Sequence, residues 1–467
     1  MKITFLGAAR TVTGSRFLVE QKDTRILIDS GIFQEREFRS RDWEKFPVDP
    51  ISIQSILLTH AHIDHCGYLP KLFQQGFSGP IYCTPPTEEI TKISLLDSAR
   101  LQVSDAEFKR KRHQREGRKA KFSEDPLYTV DDAQDVFQYF KSVNYQKEIV
   151  ISQHIKAVYY DAGHILGSAS IMLIVNDNGE SKKVVFSGDI GRWHRPLLCD
   201  PHPFNEADYL IMEATYGNRR HEKEDSALEK LAEVINKTHK AGGNVVIPAF
   251  AVERTQEILY DLNKLLKENR IPHILTFVDS PMAIDVTKIF SESSDFFDKE
   301  AKEKLREYET LFSFPLLKMT KSAEESKMIN HIKGTAIIIA GSGMCTGGRV
   351  KHHLVANISR PESTILFVGY QAEGSRGRSL LDGASELRMF GESVPVNARI
   401  EYVSGFSGHA DYNEMLAWLM GFNKEPEKVF LVHGEDEPRK ALAEHIRKNL
   451  GWDVIIPDEG ESVHLDF

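Results

Sequence analysis

The densest set of reactive side chains lies in the segment THAHIDHCGYLP, at residues 59–70, which follows the apolar run SILL and precedes a predicted helix. It places His60, His62, Asp64 and His65 within six residues. In an extended segment His60 and His62 can point to one side, whereas Asp64 and His65 lie where the chain turns into the helix. Donors this dense, with alternating directions, can serve two metal ions. Imidazole and carboxylate without thiolate suit zinc, with manganese and iron as alternatives. The dense spacing argues against an unrelated cluster of surface histidines.

Further candidate donors lie at or just past the ends of other apolar runs. They are Asp29 in TRILID, His164 after AVYYDAG, Asp189 after VVFSG, Glu213 within YLIMEAT and His433 after KVFLV. Strand ends and short loops are the places from which a rigid sheet directs side chains to one point. Taken singly, each has an ordinary alternative, such as turn capping by Asp29 and Asp189 or a loop position for His164. Together with residues 59–70 they predict one shared metal site.

The elements that must position these donors are short β-branched runs bounded by Gly, Asp or Pro, which predict strands. In the first half these runs cover residues 2–7, 15–20, 24–29, 52–59, 80–84, 155–160, 169–175, 182–188 and 209–215. The first of them follow one another closely, which favours a meandering sheet over a doubly wound one. A helical stretch is predicted over residues 87–140. Its basic run at 109–121 is either a solvated helix face or mobile loop, or a contact for an RNA backbone.

After residue 215 the pattern changes to strands that alternate with long helices. The strands are predicted at 244–250, 273–279, 335–341 and 363–369, and examples of the helices at 226–242 and 254–270. This rhythm predicts a parallel sheet flanked by helices. After residue 399 the chain returns to segments whose polar ends match the chemistry of the first part. We therefore predict an α/β protein with a first domain at 1–215 and 400–467 and a second domain inserted at 216–399.

Composition narrows the class of protein. The net charge is −9, which argues against a protein that only packages nucleic acid. Cys66, Cys83, Cys199 and Cys345 are scattered without a CxxC pair, which fits a reducing cytoplasm and argues against a disulfide framework. The start of the chain does not read as a signal peptide, and we expect no membrane span.

The motifs together resemble a known family. HAHIDH, with Asp29 before it and His164 and Asp189 after it, resembles the metallo-β-lactamase superfamily. EATYG (213–217), SGHAD (407–411) and VHGE (432–435) resemble motifs A, B and C of its β-CASP nucleases, and GSGMCTGGR (341–349) and GYQAEGSRGRSL (369–380) resemble parts of their inserted domain. The resemblance covers essentially the whole chain and is nearest to bacterial ribonucleases similar to the endonuclease of messenger-RNA 3′-end processing. It implies an αββα sandwich with an inserted β-CASP domain, and a ribonuclease that hydrolyses single-stranded RNA.

The resemblance also implies a role for each donor. It implies one zinc ion on His60, His62 and His164, a second on Asp64, His65 and His433, Asp189 as the bridge, and a hydroxide between the ions as nucleophile. Asp29 is expected to orient the histidine loop. His409 is the candidate general acid, with Glu213 accepting a hydrogen bond from its other ring nitrogen.

Contacts to the substrate are predicted from residues of the inserted domain and its borders. Ser342, Ser404 and Ser407 lie in glycine-containing loops that could hold phosphates, although simple turn chemistry explains them equally well. Arg254, Arg376 and Arg378 are candidate contacts for the RNA backbone, with surface or interdomain salt bridges as the alternative. Homodimerisation is implied by the family alone.

Three other functions compete with a ribonuclease. A small-molecule esterase or thioesterase of the same metal fold would need neither motif A, motif B nor the large insert. A non-catalytic RNA-binding subunit would typically have lost metal ligands, and each expected ligand type is present here. A DNA nuclease is disfavoured by His433, because the DNA-repair members of the family lack a histidine at motif C.

Overall fold

The computed structural model describes residues 1–35, 37–117, 124–221, 224–332, 334–372 and 374–467. Residues 118–121 of the basic run lie outside the described residues. The chain divides into two compact units. The first unit consists of Met1–His194, Cys199–Arg220 and His409–Phe467, and the second of Arg195–Leu198 and His221–Gly408. The second unit is therefore an insertion into the first, as the sequence predicts.

The strands and helices follow one another along the chain with short 3-10 turns between some of them. The strands are β1 (Lys2–Gly7), β2 (Arg16–Gln21), β3 (Thr24–Ile28), β4 (Ser55–Leu57), β5 (Ile81–Cys83), β6 (Phe140–Ser142), β7 (Glu148–Val150), β8 (Ile155–Asp161), β9 (Ala169–Asp177), β10 (Glu180–Phe186), β11 (Tyr209–Glu213), β12 (Val245–Pro248), β13 (Leu275–Asp279), β14 (Leu317–Met319), β15 (Ala336–Ala340), β16 (Thr364–Phe367), β17 (Glu386–Met389), β18 (Glu392–Pro395), β19 (Arg399–Tyr402), β20 (Lys428–Val432), β21 (Val454–Ile455) and β22 (Ser462–His464). The helices are α1 (Ile63–Cys66), α2 (Leu69–Gln74), α3 (Pro85–Glu116), α4 (Val130–Asp135), α5 (Glu224–Ala241), α6 (Arg254–Lys267), α7 (Pro281–Glu292), α8 (Lys299–Tyr308), α9 (Ala323–Ile329), α10 (Val350–Asn357), α11 (Arg376–Leu381), α12 (Tyr412–Leu419) and α13 (Asp436–Leu450). Within the described residues, no helix is both long and apolar enough to cross a membrane.

The first unit is built on two sheets that pack face to face. One has the strand order β22-β1-β2-β3-β4-β5-β6 and the other β21-β20-β11-β10-β9-β8-β7. Side chains alternate between the faces of a strand, so Phe17 of β2 points into the core between the sheets, whereas Leu18 points to the outer face. Across that core the ring of Phe17 lies 6.0 Å from the ring of Phe186 on β10.

Helices cover the outer face of each sheet. Leu72 of α2 and Leu95 of α3 pack into the cluster that contains Leu18. On the other side, Trp418 of α12 and Leu442 of α13 pack against β10, β11 and β20. The layers are helix, sheet, sheet and helix, which confirms the predicted sandwich.

The strands predicted from β-branched runs are present, but two details of the prediction were wrong. The meandering arrangement holds for β1 to β3, whereas β3 to β6 pair in parallel. The single helical stretch predicted at 87–140 ends at Glu116, because Gly117 adopts the left-handed conformation that stops a helix. The next helix among the described residues is α4, which begins where the side chain of Thr129 caps it.

The second unit contains the parallel sheet that the alternating pattern predicts. Its strand order is β14-β13-β15-β12-β16-β19, and each neighbouring pair is parallel. Strands β17 and β18 form a separate antiparallel hairpin. The hairpin packs onto the unit through Leu387 and Met389, which belong to the same apolar cluster as Ile338 and Phe367 of the sheet.

Two backbone contacts in the first unit hold the predicted metal-binding segment, residues 59–70, in place. The N–H of Ser15 donates to the carbonyl of Asp64 at 2.8 Å, and the N–H of Ser30 donates to the carbonyl of His65 at 2.7 Å. Gly31 packs directly on this backbone, since a Cβ atom at Gly31 would lie 1.5 Å from the Asp64 oxygen. The close approach fixes where Asp64 and His65 can lie.

We expect Gly31→Ala to lower both the melting temperature and the bound metal. The added methyl group cannot fit unless the backbone of Asp64 moves, and overpacking of this kind typically costs about 1–3 kcal/mol or more. Thermal unfolding and metal content measured on the purified variant test this. Gly369→Ala is the matched control, because a Cβ atom there meets no atom within 4 Å. Unchanged stability and metal content in Gly31→Ala would contradict the proposed packing constraint.

Candidate metal centre

The metal-binding segment follows the short strand β4. The residue before helix α1 is His62, whose backbone is extended, with φ −67° and ψ 145°. Asp64 and His65 lie within α1, so the change from extended to helical backbone gives the two pairs of donors different directions. Neighbouring loops supply His164 after β8, Asp189 after β10 and His433 after β20.

One group of donors consists of His60, His62, His164 and Asp189. The Nδ1 atom of His62 lies 3.1 Å from Nε2 of His60 and 3.2 Å from Nε2 of His164. Oδ2 of Asp189 lies 3.4 Å from Nε2 of His60 and 3.5 Å from Nε2 of His164. The ligand atoms of this group therefore converge on one point.

A second group consists of Asp64, His65 and His433. The Nε2 atoms of His65 and His433 face each other at 3.1 Å, and Oδ2 of Asp64 lies 3.5 Å from Nε2 of His433. The other oxygen of Asp189, Oδ1, lies 3.3 Å from Nε2 of His65. Asp189 thus presents one oxygen to each group.

The donor set fits divalent cations. Burial lowers the pKa of His60 to about 3 and that of His62 to about 4, so both rings are neutral and offer a lone pair. Burial acts to raise the pKa of the Asp189 carboxyl, but His433, His65 and His60 outweigh it and hold the pKa well below its usual range. Oδ1 of Asp189 is buried and has no hydrogen-bond partner among the described residues. A buried carboxylate oxygen facing imidazole nitrogens in this way matches a metal ligand.

Residues behind the donors fix their orientation. Oδ2 of Asp29 lies 2.7 Å from Nδ1 of His65, which leaves Nε2 of that ring facing Asp189. The backbone N–H and the hydroxyl of Thr59 both donate to Asp29, and the same hydroxyl lies 3.0 Å from Nδ1 of His60. Contacts of this kind select the ring nitrogen that faces the metal.

His409 and Glu213 lie beside the first group of donors. Nδ1 of His409 lies 3.1 Å from Oε1 of Glu213 and 3.9 Å from Oδ2 of Asp189. Glu213 is held in turn by the N–H of Ile190, which donates to the same Oε1 at 2.6 Å. Burial acts to lower the pKa of His409, but Glu213 and then Asp189 outweigh it and raise the pKa to about 9. The His409 side chain is 19% exposed, whereas that of Glu213 is fully buried.

Strand pairing explains how residues far apart in sequence meet here. Strands β11 and β20 are parallel neighbours, with Glu213 opposite Val432, although the His221–Gly408 part of the second unit separates them in the chain. The pairing places Glu213 beside His433. The hydroxyl of Thr215 lies 3.1 Å from Nδ1 of His433. Sequence reasoning missed the roles of Thr215 and Thr59; their only signal was a place next to a predicted donor or motif residue.

The predicted substrate contacts lie in the second unit and are described there alone. Arg254 is buried and pairs with Glu257, which also pairs with Arg195. These ion pairs join residues within the second unit. Arg378 pairs with Asp382 at 2.9 Å. Arg376 donates to the backbone carbonyls of Arg388 and Thr346.

The serine candidates differ in their surroundings. The hydroxyl of Ser342 accepts the N–H of Gly347 at 3.2 Å, as in an ordinary loop. The buried hydroxyl of Ser407 has no partner among the described residues. The side chain of Ser404 lies outside what the structure describes. Contact of any of these serines or arginines with RNA stays a prediction.

Comparisons of the sequence and the fold relate the chain to known proteins. Family models match for a metallo-beta-lactamase superfamily domain at residues 18–194, a Beta-Casp domain at 255–380 and a Zn-dependent metallo-hydrolase RNA specificity domain at 393–457. The chain is similar to a ribonuclease of Thermus thermophilus, with 35% identity over 99% of this chain and 100% of the relative. It is also similar to transcription termination factor FttA of Methanocaldococcus jannaschii, with 30% identity over 100% of this chain and 72% of that protein. A crystal structure of a protein of unknown function from Enterococcus faecalis shares the fold, with a TM-score of 0.56 and 14% identity over 99% of both chains.

We expect Asp189→Ala and Asp64→Ala to affect metal content differently. Because Asp189 faces both groups of donors, its loss should weaken both sites, whereas Asp64 faces only the second group. Elemental analysis after gel filtration should therefore find more metal in Asp64→Ala than in Asp189→Ala. Asp177→Ala, at the last residue of β9, serves as the control for a lost carboxylate. Full metal content in Asp189→Ala would show that this residue is not a shared ligand.

Proposed function

The chain belongs to the β-CASP family of metallo-β-lactamase-fold hydrolases, and on this premise we propose that it is a zinc-dependent ribonuclease that hydrolyses phosphodiester bonds of single-stranded RNA. The observation that carries the proposal is the pair of donor groups joined by the two oxygens of Asp189. The match to an RNA specificity domain and the similarity to a named ribonuclease support RNA as the substrate.

The two donor groups suit two zinc ions. His60, His62 and His164 would hold one ion, Asp64, His65 and His433 the other, and Asp189 would bridge them. When bound, such ions supply a nucleophile from water near neutral pH and stabilise charge on the phosphate. The fully buried Cys66, although it belongs to the same helix as Asp64, donates to the carbonyl of Ala61 and is not one of the donors. The purely nitrogen and oxygen donor set is compatible with zinc at both positions.

Charge supports a phosphate ester over a neutral substrate. The donor groups contain the carboxylates of Asp64 and Asp189, and the remaining donors are imidazoles. Two carboxylates cannot neutralise two divalent cations. The centre would therefore keep positive charge, which attracts a phosphodiester and stabilises the additional negative charge of its transition state.

His409 is our proposed general acid. Its Nδ1 atom faces Glu213, which leaves the opposite ring nitrogen to give a proton to the departing oxygen. Glu213 raises the pKa of His409, so that the ring carries this proton at neutral pH. Glu213 acts through His409 and is thus a positioning residue, as Asp29 is for His65.

We also propose a cellular location and an oligomeric state. No disulfide joins any of Cys66, Cys83, Cys199 and Cys345, all of which lie in the described part of the chain, and this fits the reducing cytoplasm that we propose as the location. Homodimerisation follows from family resemblance alone, and analytical ultracentrifugation would test it.

We predict that His409→Ala keeps its bound zinc but loses about 10²–10⁴-fold in turnover, the range typical of a general acid. Glu213→Gln should keep the imidazole of His409 in place but lower its pKa from about 9, because the carboxylate no longer favours the protonated ring, so kcat should fall at a lower pH than in wild type. Turnover, pH profile and zinc content are measured together. His239→Ala, an exposed histidine of α5, should behave as the wild-type protein. Wild-type turnover in His409→Ala would remove His409 from the reaction.

Incubation of zinc-loaded protein with end-labelled nucleic acids tests the substrate. We expect cleavage of single-stranded RNA, little cleavage of matched DNA or duplex RNA, no hydrolysis of a thioester, and loss of activity with a chelator that added zinc restores. Product lengths distinguish internal cleavage from removal of nucleotides at the 5′ end. Binding of RNA without cleavage at any zinc concentration would indicate the non-catalytic alternative, and preferential thioester hydrolysis would indicate the small-molecule alternative.

A further inference from the structure

The hairpin of β17 and β18 in the second unit carries an unusual turn. Met389 pairs with Glu392, so the turn consists of Phe390 and Gly391, and both have positive φ, at 51° and 95°. The first position of such a turn favours Asn, Asp or Gly, because other side chains are strained there. Phe390 is nevertheless 57% exposed, so burial in the core does not account for an aromatic residue at this place.

Phe390 is held against helix α10 by stacking and by a cation. The ring of His352 lies 4.8 Å from the ring of Phe390, with an angle of 27° between the planes. The ammonium of Lys351 lies 4.7 Å from the centre of the phenyl ring. His352 is itself exposed. The part of His352 that packs against the protein loses water, which lowers the pKa of the ring, and His353 and Lys351 lower it further. The ring is therefore neutral and suited to stacking.

Cations predominate around these two rings. Arg388 lies on the exposed face of β17, two residues before Phe390, and its backbone carbonyl accepts from Arg376 at 3.3 Å. Lys327 lies close enough to His352 to lower its pKa. Within the described ranges, no carboxylate lies at ion-pair distance from Lys351, Arg376, Arg388 or Lys327. The hairpin also carries Glu386, which accepts from Ser393, and Glu392. Asp279 also acts on the pKa of His352, but it is buried and paired with Arg349. The two exposed carboxylates of the hairpin are outnumbered by the four cations.

We propose that Phe390 and His352 form a platform on which an unpaired base of single-stranded RNA stacks, with Lys351 and Arg388 facing the adjacent phosphates. Proteins that bind single strands combine aromatic rings with a positively charged path in this way. This inference rests on the proposed function, since it assumes an RNA substrate. The Phe390 platform contains none of the metal donors, so binding there is separable from hydrolysis.

The test compares Phe390→Ala with wild type in binding a fluorescein-labelled oligouridine, measured by fluorescence anisotropy on zinc-loaded protein. Phosphorothioate linkages in the oligonucleotide slow its cleavage. We expect Phe390→Ala to bind about tenfold more weakly, within the range reported for loss of one stacked base. Phe390→Trp should bind as wild type does. On an abasic strand of equal charge the Phe390→Ala variant and wild type should bind equally.

Three controls separate the outcomes. Ile51→Ala, which removes a 74% exposed apolar side chain from the first unit, should not change binding. Lys351→Ala should weaken binding to both strands and reduce the salt dependence. Hydrolysis of bis(p-nitrophenyl) phosphate should be unchanged in Phe390→Ala; absence of hydrolysis even in wild type would count against the proposed function and leave the binding comparison valid.

Three results would overturn the platform. One is equal binding of the base-containing oligonucleotide by wild type and Phe390→Ala. Another is an equal loss on the abasic strand, which would show that Phe390 supports the fold or the charge distribution rather than a stacked base. A change of oligomeric state in Phe390→Ala, seen by sedimentation, would assign the exposed ring to a protein–protein contact and would also overturn it.

Discussion

The rest of the structure depends on one constraint: buried nitrogen and oxygen atoms that could bind metal converge around Asp189. Seven side chains, His60, His62, Asp64, His65, His164, Asp189 and His433, bring their ligand atoms into two adjoining groups. Imidazole nitrogens that face each other at 3.1–3.2 Å are removed from water, and each such pair can share only one proton in a hydrogen bond. The pair of divalent cations that we propose would remove this cost. The remaining architecture can be understood as the scaffold that keeps these atoms together, from the Gly31 contact to the Asp29 and Thr59 hydrogen bonds.

Much of the fold follows from local patterns. The alternation in segments such as β2 identifies strands, and the polar residues at their ends identify Asp29, Asp189 and His433 as candidate donors, because both signals are local. Pairing across the insertion is not local: nothing in YLIMEAT or KVFLV specifies that Glu213 lies opposite Val432. The long helix predicted to residue 140 stops at Glu116 because one glycine adopts a left-handed conformation, which outweighs the helical composition around it.

The role of a side chain could be predicted where a sequence motif contained it, but not where the role depends on a partner far away in the sequence. The motif residues His409 and Glu213 do lie in contact, whereas Arg254 shows how a predicted substrate contact can have another partner. Arg254 shares Glu257 with Arg195, which is separated from it in sequence and reaches it only in the fold. Thr59 and Thr215 show the opposite case, because ordinary threonines acquire importance only from the histidines they contact. The sequence did not predict the turn at Phe390, because the feature consists of a positive φ and an exposed ring, which only the structure provides.

Anomalous diffraction from crystals of the zinc-loaded protein, collected on both sides of the zinc absorption edge, tests the central claim most directly. The account predicts two anomalous peaks, one among His60, His62 and His164 and one among Asp64, His65 and His433, with a carboxylate oxygen of Asp189 bound to each. A single peak, or peaks that Asp189 does not touch, would contradict it.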